Sequence, residues 1–333
     1  MDNAVSSESL QSEQRGRRRL ISLVMPVYNE EANLDRAYAA LIAVFKELPQ
    51  YELEFVFTDN HSEDHTFERL VALAKADSRV KVIRFTRNYG FQRSLLTAYR
   101  YARGDAAIQI DCDLQDPPEL IPRFIALWEQ GHDVVVGLRR RRQEPHLLTL
   151  GRRAFYALLS RISDDQVTRD AGDFRLVDRS VISRLKALND FNPYVRGVVS
   201  SLAARETGIP YDRTQRMHGR SKFPLRKLVG FALDGILGHS VLPLRLASYA
   251  GLAISIVIFL LGLLYIFEAL LFGRSWPSGF ATLIVVILFG ISLNAIFLGI
   301  IGEYVSRIYQ QVRFRPLVVV ESALNISPEQ SEK

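Results

Sequence analysis

The sequence predicts an α/β domain built on a mostly parallel sheet, followed by two membrane-spanning helices. Three observations predict it. Residues 20–137 alternate short apolar runs with stretches of helical spacing, the pattern of repeated β-α units with helices on both sheet faces. Residues 248–272 are apolar apart from Glu268, and residues 280–302 carry no charge. Each run is long enough for a helix to cross ~30 Å of hydrocarbon, which takes ~20 residues.

The elements follow in order. A first strand over 20–27 leads into helical spacing over 30–47, with Asn29 placed to cap that helix and its N–H groups open to an anion. Strands are expected over 53–58, 80–85, 106–110 and 133–137, with helices over 64–76 and 91–102 and a further one after Pro117. Beyond Gly137 the pattern loosens, and Arg139-Arg-Arg-Arg142 reads as a solvated mobile loop. Residues 222–239 place Leu225, Leu228, Val229, Ala232, Leu233, Ile236 and Leu237 at helical spacing; an ordinary core helix is the alternative, and the position beside a span favours an amphipathic helix lying in the membrane interface.

Composition bounds the class. The 333 residues carry a net charge of +6, which suits an anionic partner. One cysteine, Cys112, excludes a disulfide framework within the chain and fits a reducing compartment. Residues 1–19 are polar, end in Arg17-Arg18-Arg19 and lack an apolar stretch, so no cleavable signal peptide is expected. Arg226, Lys227 and Arg245 precede the first apolar run, and Arg307, Arg313 and Arg315 follow the second. The positive-inside rule therefore puts both termini in the cytoplasm and the short loop around Trp276 outside. The basic residues gather beside the spans, which argues against nucleic acid as partner.

Four successive strands end in polar residues. After the first comes Pro26-Val-Tyr-Asn-Glu-Glu31, after the second Asp59, after the third Arg87-Asn-Tyr-Gly90, and after the fourth Asp111-Cys-Asp113. In open α/β sheets ligands bind outside the carboxyl ends of the strands, and an acidic residue there can bond a ribose or base. Asp111 and Asp113 repel each other unless something cationic lies between them; Mg²⁺ takes one or two carboxylates plus phosphate oxygens. The plain alternative is an acidic, solvated turn before Pro117. Gln115 either holds a sugar hydroxyl or metal-bound water, or caps the helix after Pro117.

Basic residues near the membrane are Arg196 in Tyr194-Val-Arg-Gly197, then Arg213, Arg216 and Lys222, with Gly219 and Ser221 suggesting a loop that closes over a diphosphate. Arg forks suit phosphate oxygens. Attraction to anionic headgroups, worth about 1 kcal/mol per basic residue, is the alternative.

Together these motifs, with Asp111-x-Asp-Leu-Gln-Asp-Pro-Pro-Glu119 and Gly172-Asp-Phe-Arg-Leu176, resemble family 2 glycosyltransferases. They most resemble the membrane branch that glycosylates polyprenyl phosphates, the bactoprenol glucosyltransferases, with dolichol-phosphate mannose synthases as relatives. The resemblance spans about residues 20–315. It implies a GT-A catalytic domain, Rossmann-like with a mostly parallel sheet, then an amphipathic interfacial helix and a two-helix transmembrane hairpin. It also implies a nucleotide-sugar donor, Mg²⁺ or Mn²⁺, a polyprenyl-phosphate acceptor and an inner-membrane location; UDP-glucose is the first choice of donor and GDP-mannose the second.

The expected organisation is a disordered tail over 1–19, the GT-A domain over 20–221, a juxtamembrane helix over 222–245, spans over 248–272 and 280–303, and a cytoplasmic tail over 304–333. Metal falls to Asp111 and Asp113. The nucleotide sugar falls to Pro26, Tyr28, Glu30, Asp59, Arg87, Asn88, Asp111 and Gln115, and the acceptor phosphate to Arg196, Arg213, Arg216, Ser221 and Lys222. Relatives often carry Asp where this chain has Asn60 and Gly where it has His61, which leaves Asp59 as the nucleotide contact. Asp113 is named catalytic, with Asp170 and Asp173 as candidate bases. A phosphate monoester with its second pKa of about 6 is already largely dianionic, so either Asp can instead bind a sugar hydroxyl or pair with Arg175.

Two rivals remain. A processive synthase needs more spans and a Gln-x-x-Arg-Trp motif, which is missing, Trp occurring only at 128 and 276. A membrane nucleotide-sugar sensor keeps the fold without turnover. Gly299-x-x-Gly302 marks a close-packing spot and a possible homo-oligomer contact.

Overall fold

The computed structural model describes residues 18–139, 171–188, 190, 193–213, 242–272, 279–313 and 316–327. The first half follows the expected alternation: β1 (Arg19–Val27), α1 (Leu34–Lys46), β2 (Tyr51–Asp59), α2 (Thr66–Ala76), β3 (Val80–Phe85), α3 (Phe91–Tyr101) and β4 (Ala106–Gln109). A 3₁₀ turn, Pro118–Leu120, then opens α4 (Ile121–Glu129), with Pro122 inside its first turn where no N–H is needed. After β5 (Val134–Arg139) come β6 (Ala171–Asp178), α5 (Arg179–Lys186), α6 (Val195–Leu202) and β7 (Glu206–Tyr211). Two long helices, α7 (Leu242–Phe272) and α8 (Phe280–Val312), precede a last strand, β8 (Val320–Leu324).

The sheet order is β7-β5-β6-β4-β1-β2-β3-β8. β4, β1, β2 and β3 pair in parallel, as do β5 and β7, while β6 and β8 run antiparallel to their neighbours. Strand alternation sorts side chains onto two faces. Ile21, Leu23, Met25, Phe55 and Phe57 face α1, α2 and α4 through Leu41, Leu70 and Phe124. Val24, Val56, Ile83 and Ala107 face α3, α5 and α6 through Leu95, Ile182 and Val199. Both faces are covered, so the central strands are apolar almost throughout.

The exception lies near the amino ends of the strands. Ser22 pairs with Glu54 in register, and its hydroxyl donates to Oε1 of Glu54 at 2.5 Å. Lys81 Nζ donates to the other carboxylate oxygen, and the Arg103 N–H donates to Oε1 at 2.6 Å. Gly104 closes this network: its N–H donates to the Ser22 hydroxyl at 2.8 Å, and an added Cβ would sit 2.5 Å from the Ala106 carbonyl oxygen.

The first helix departs from expectation. It begins at Leu34 and its cap position is Asn33; Asn29 instead adopts φ 56° and accepts a hydrogen bond from the Glu63 N–H. The strands β6, β7 and β8 had no counterpart in the sequence pattern, and β8 falls within what reads as a cytoplasmic tail.

The described chain divides into two compact units, one built on the sheet and one on α7 and α8. The stretch Phe289–Val312 of α8, mean hydropathy 1.4, is long and apolar enough to cross a membrane. Leu252, Leu260, Phe267, Phe289, Leu298 and Ile308 on the two helices are all exposed. The helices approach at Gly251, where a Cβ would lie 3.3 Å from the Phe297 ring, whereas Gly299 and Gly302 have no heavy atom of another element within 4 Å of such a Cβ. The pair of glycines expected to pack closely is therefore not the contact between α7 and α8. Of the juxtamembrane helix expected over 222–245, residues 222–241 lie outside the described residues, as does the loop 273–278, while 242–245 form the first turn of α7.

Replacing Lys81 by Met leaves the buried Glu54 carboxylate without its cation. The variant is expected to lose about 3–5 kcal/mol of stability, measured as a lowered denaturation midpoint.

Candidate active site

Parallel pairing brings the carboxyl ends of β4, β1, β2 and β3 to one edge, and β5 and β7 end there too. Because β6 runs antiparallel, its beginning reaches that same edge. Asp111 and Asp113 after β4, Asp59 at the end of β2, Asp173 near the start of β6, Arg139 at the end of β5 and Arg213 after β7 therefore share one rim.

Hydrogen bonds lace the loops after β1 and β2 together. The Asn29 N–H donates to Ser62 Oγ at 3.0 Å and the Glu30 N–H to Thr66 Oγ1 at 2.8 Å, while Glu30 Oε2 accepts from Asn33 at 2.7 Å. Tyr28 is exposed at the rim, and Pro26 lies in register with Thr58. Asp59 is fully buried: its Oδ1 accepts from the Ser62 N–H at 3.0 Å and hydroxyl at 2.6 Å. Among the described residues Oδ2 has no hydrogen-bond donor, and the Arg84 guanidinium stands 3.8 Å away. Burial raises the Asp59 pKa, against the opposing pull of the Ser62 bonds, Arg84 and His61.

Asn60 is engaged within the protein. Its side-chain oxygen accepts from the Tyr89 N–H at 2.8 Å, tying the loop after β2 to the loop after β3. In that loop Arg87 lies over the Tyr89 ring at 4.8 Å, and Asn88 accepts from the Gly90 N–H at 2.9 Å. Gly90, at φ 87°, then opens α3.

After β4 the chain turns sharply at Leu114, φ 52°, and the Gln115 N–H donates to Asp113 Oδ1 at 3.1 Å. Gln115 is buried, and no side-chain bond caps the 3₁₀ turn that follows, so the capping alternative for it is removed. Asp116, quoted in the motif but given no role, is a buried hub. It accepts from the Tyr211 hydroxyl, from Arg139 Nη2 at 3.4 Å, and faces Arg213 Nε at 3.4 Å. Arg139 is therefore a half-buried member of β5 aimed at the site, not part of a solvated loop; residues 140–142 lie outside the described residues. Gly172 makes room for it, since a Cβ there would lie 3.1 Å from Arg139 Nε.

Asp173 pairs with Arg196, both carboxylate oxygens lying 2.7 Å from Nη2, rather than with Arg175. Arg175 is buried and donates to the Gly172 and Arg196 carbonyls at 3.0 and 3.2 Å, bracing the pair. Burial works to raise the Asp173 pKa, but Arg196, Arg175 and Arg139 hold it below the usual carboxylate range. Asp111 is the contrast. Burial, then the charges of Asp173, Asp116 and Asp113, push its carboxyl up to about 7, with only Arg213 opposing. Among the described residues no three carboxylate, imidazole or thiol groups converge into a metal cage. Asp170, Arg216, Ser221 and Lys222 lie outside the described residues.

The model of glycosyl transferase family 2 matches residues 22–186. A Bacillus subtilis (strain 168) protein named uncharacterized glycosyltransferase YkcC is 40% identical over 309 residues, 92% of this chain and 94% of that one. The bactoprenol glucosyl transferase of Shigella phage SfX is 38% identical over 303 residues, 91% of this chain and 99% of its own. The prophage bactoprenol glucosyl transferase homolog of Escherichia coli (strain K12) is 37% identical over 302 residues, 90% and 98% of the two chains.

A carboxyl raised by folding favours the protonated native state, so its contribution to stability is complete below the unfolded pKa and is lost as the pH rises through the folded one. For Asp111 that window runs from its ordinary 3.8 to about 7. In chelator-treated protein the melting midpoint is expected to fall across this window more steeply in the wild type than in Asp111→Asn. Equal slopes in calorimetry overturn the assignment.

Proposed function

The chain belongs to glycosyl transferase family 2, and we propose that it moves a hexose from a nucleotide sugar to the phosphate of a polyprenyl phosphate. The observation that carries this reading is the placement at one sheet edge of a buried Asp59 oxygen, without a donor among the described residues, and the Asp111 and Asp113 carboxylates. The relatives named bactoprenol glucosyl transferase support glucose as the sugar and a bactoprenol lipid as the acceptor; UDP-glucose is the donor and undecaprenyl phosphate the lipid in this proposal.

Asp59 takes the base, with the Pro26–Glu30 loop, Arg87 and Asn88 around the nucleoside and Gln115 at the sugar. The residues fit a hard divalent cation: Asp111 and Asp113 lie beside two further carboxylates, and burial together with those neighbouring charges raises the Asp111 carboxyl to about 7, a cost that a bound cation would relieve. Two carboxylates leave the other positions to diphosphate oxygens and water, as Mg²⁺ prefers. Mg²⁺ or Mn²⁺ held there would neutralise the charge that builds on the leaving diphosphate.

An oxygen of the lipid phosphate attacks the anomeric carbon as the bond to the nucleoside diphosphate breaks, and a single displacement inverts that carbon. The phosphate needs positioning more than deprotonation. Arg213 leads from β7 toward the acceptor, continued by Arg216, Ser221 and Lys222, while Arg196 keeps Nη1 for a phosphate oxygen after Asp173 has taken its other edge. With that pairing Asp173 orients Arg196 and stays ionised, and Asp170 is left as the candidate base.

Exposed apolar side chains around both α7 and α8 suit lipid rather than water. We place 248–272 and 280–303 as two spans in the inner membrane, both termini cytoplasmic, with 222–245 in the interface, so that the catalytic domain over 20–221 meets its lipid substrate. The unfilled Gly299 and Gly302 positions suit a second copy of the chain.

Purified protein with undecaprenyl phosphate, Mg²⁺ and a panel including UDP-glucose and GDP-mannose is expected to form glycolipid from one donor. Asp113→Ala is expected to lower kcat by on the order of 10²–10³-fold or more. Nucleotide-sugar binding with no transfer across the panel would replace this reading with a sensor.

A further inference from the structure

The strand β8 follows both long helices in sequence, yet it pairs with β3 beside the donor edge. Its side chains are mostly exposed, though Leu324 packs on one core face and the flanking Leu317, Val318 and Ile326 on the other. Main-chain and amide bonds add to this hold. The Thr86 N–H donates to the Val319 carbonyl at 3.0 Å ahead of it. Behind it Asn325, at φ 56°, donates through Nδ2 to the carbonyls of Ala74 at 2.7 Å and Val80 at 2.8 Å.

Between these anchors the ladder slips. Arg84 pairs with Ser322 and Phe85 with Val320, so Glu321 is the extra residue of a bulge. Bulges re-aim a side chain, often next to a functional site. Here the Glu321 carboxylate accepts from Arg84 Nε at 3.1 Å and lies 3.4 Å from His61 Nδ1. The Arg84 guanidinium also rests on the Phe67 ring, 4.2 Å from its centroid.

We propose that Glu321 is a positioning residue of the donor pocket: it draws Arg84 aside so that the enclosed Asp59 Oδ2 is left without a donor among the described residues and takes an N–H of the nucleotide base. In register Arg84 lies directly beside Asp59. At 3.8 Å it is near enough to balance the buried charge and too far for a hydrogen bond. A buried carboxylate oxygen without a donor is costly and needs a reason; an incoming uracil or guanine imide N–H supplies one. Glu321 and Phe67 hold the guanidinium short of the fork it would otherwise form with Asp59. The sheet edge that binds the base is thereby completed by residues from beyond the second long helix.

This inference rests on the donor-pocket reading of Asp59. Its test uses the full-length protein in detergent, titrated with UDP and with GDP by calorimetry, alongside steady-state kinetics with the donor that supports transfer. Glu321→Gln keeps the side chain's shape and removes its charge. It is expected to raise Kd for the bound nucleotide about tenfold, the scale of one displaced hydrogen bond to a charged group. KM for the donor should rise in parallel with kcat unchanged, and Glu321→Asp should recover most of the affinity. Adding Glu321→Gln to Arg84→Ala should cost nothing further. Wild-type nucleotide affinity in Glu321→Gln, or a fall in kcat with KM unchanged, overturns the positioning role alone. A wild-type protein that binds neither UDP nor GDP overturns the donor pocket and this inference together.

Discussion

Four carboxylates meet at one edge of the sheet, and the way their charge is balanced organises the site. Asp116 is buried against Tyr211, Arg139 and Arg213, and Asp173 is held by Arg196. Those two are neutralised by the protein itself. For Asp111 burial first, and then the charges of Asp173, Asp116 and Asp113, push the carboxyl up to about 7.

That arrangement depends on topology. If β6 ran parallel to β4, Asp173 would lie at the opposite edge of the sheet, far from Asp111. The antiparallel insertion of β6 between β4 and β5 brings its first residues to the carboxyl edge, and Arg175 in the middle of the strand braces Arg196 from below. The glycines at 137 and 172 then leave space for the Tyr211 ring and the Arg139 guanidinium to reach Asp116. The turns that aim the loops are themselves strained: Asn29, His61 and Leu114 adopt φ of 56°, 62° and 52°. Non-glycine residues hold such angles where surrounding bonds over-determine them, and the bonds among Asn29, Ser62, Glu63 and Asp59 do so here.

One half of the rim is local in origin. Each loop follows its own strand, so the placement of Asp59, Arg87 and the Asp111–Asp113 pair at strand ends was legible from the strand pattern alone. The other half was harder to read. Asp116 sat unremarked in a quoted motif because a buried carboxylate and a solvated one look alike in sequence. Arg139 belonged to a run of four arginines, and only the end of β5 distinguishes it from its neighbours. Asn29 looked like a helix cap, but a left-handed turn carries the chain past that position and the side chain bonds the neighbouring loop instead.

Sequence by itself determined the alternating units, the two-faced core, the two long apolar helices and the strand ends where polar residues emerge. These follow from periodicity and composition, which act over a few residues. Only the tertiary structure decided which charges meet: Asp173 with Arg196, Asp116 with Arg139 and Arg213, and Glu321 with Arg84 across 237 positions of chain. Such pairs are set by strand order, direction and a single-residue bulge. Those are properties of distant segments packing together, and no local pattern records them.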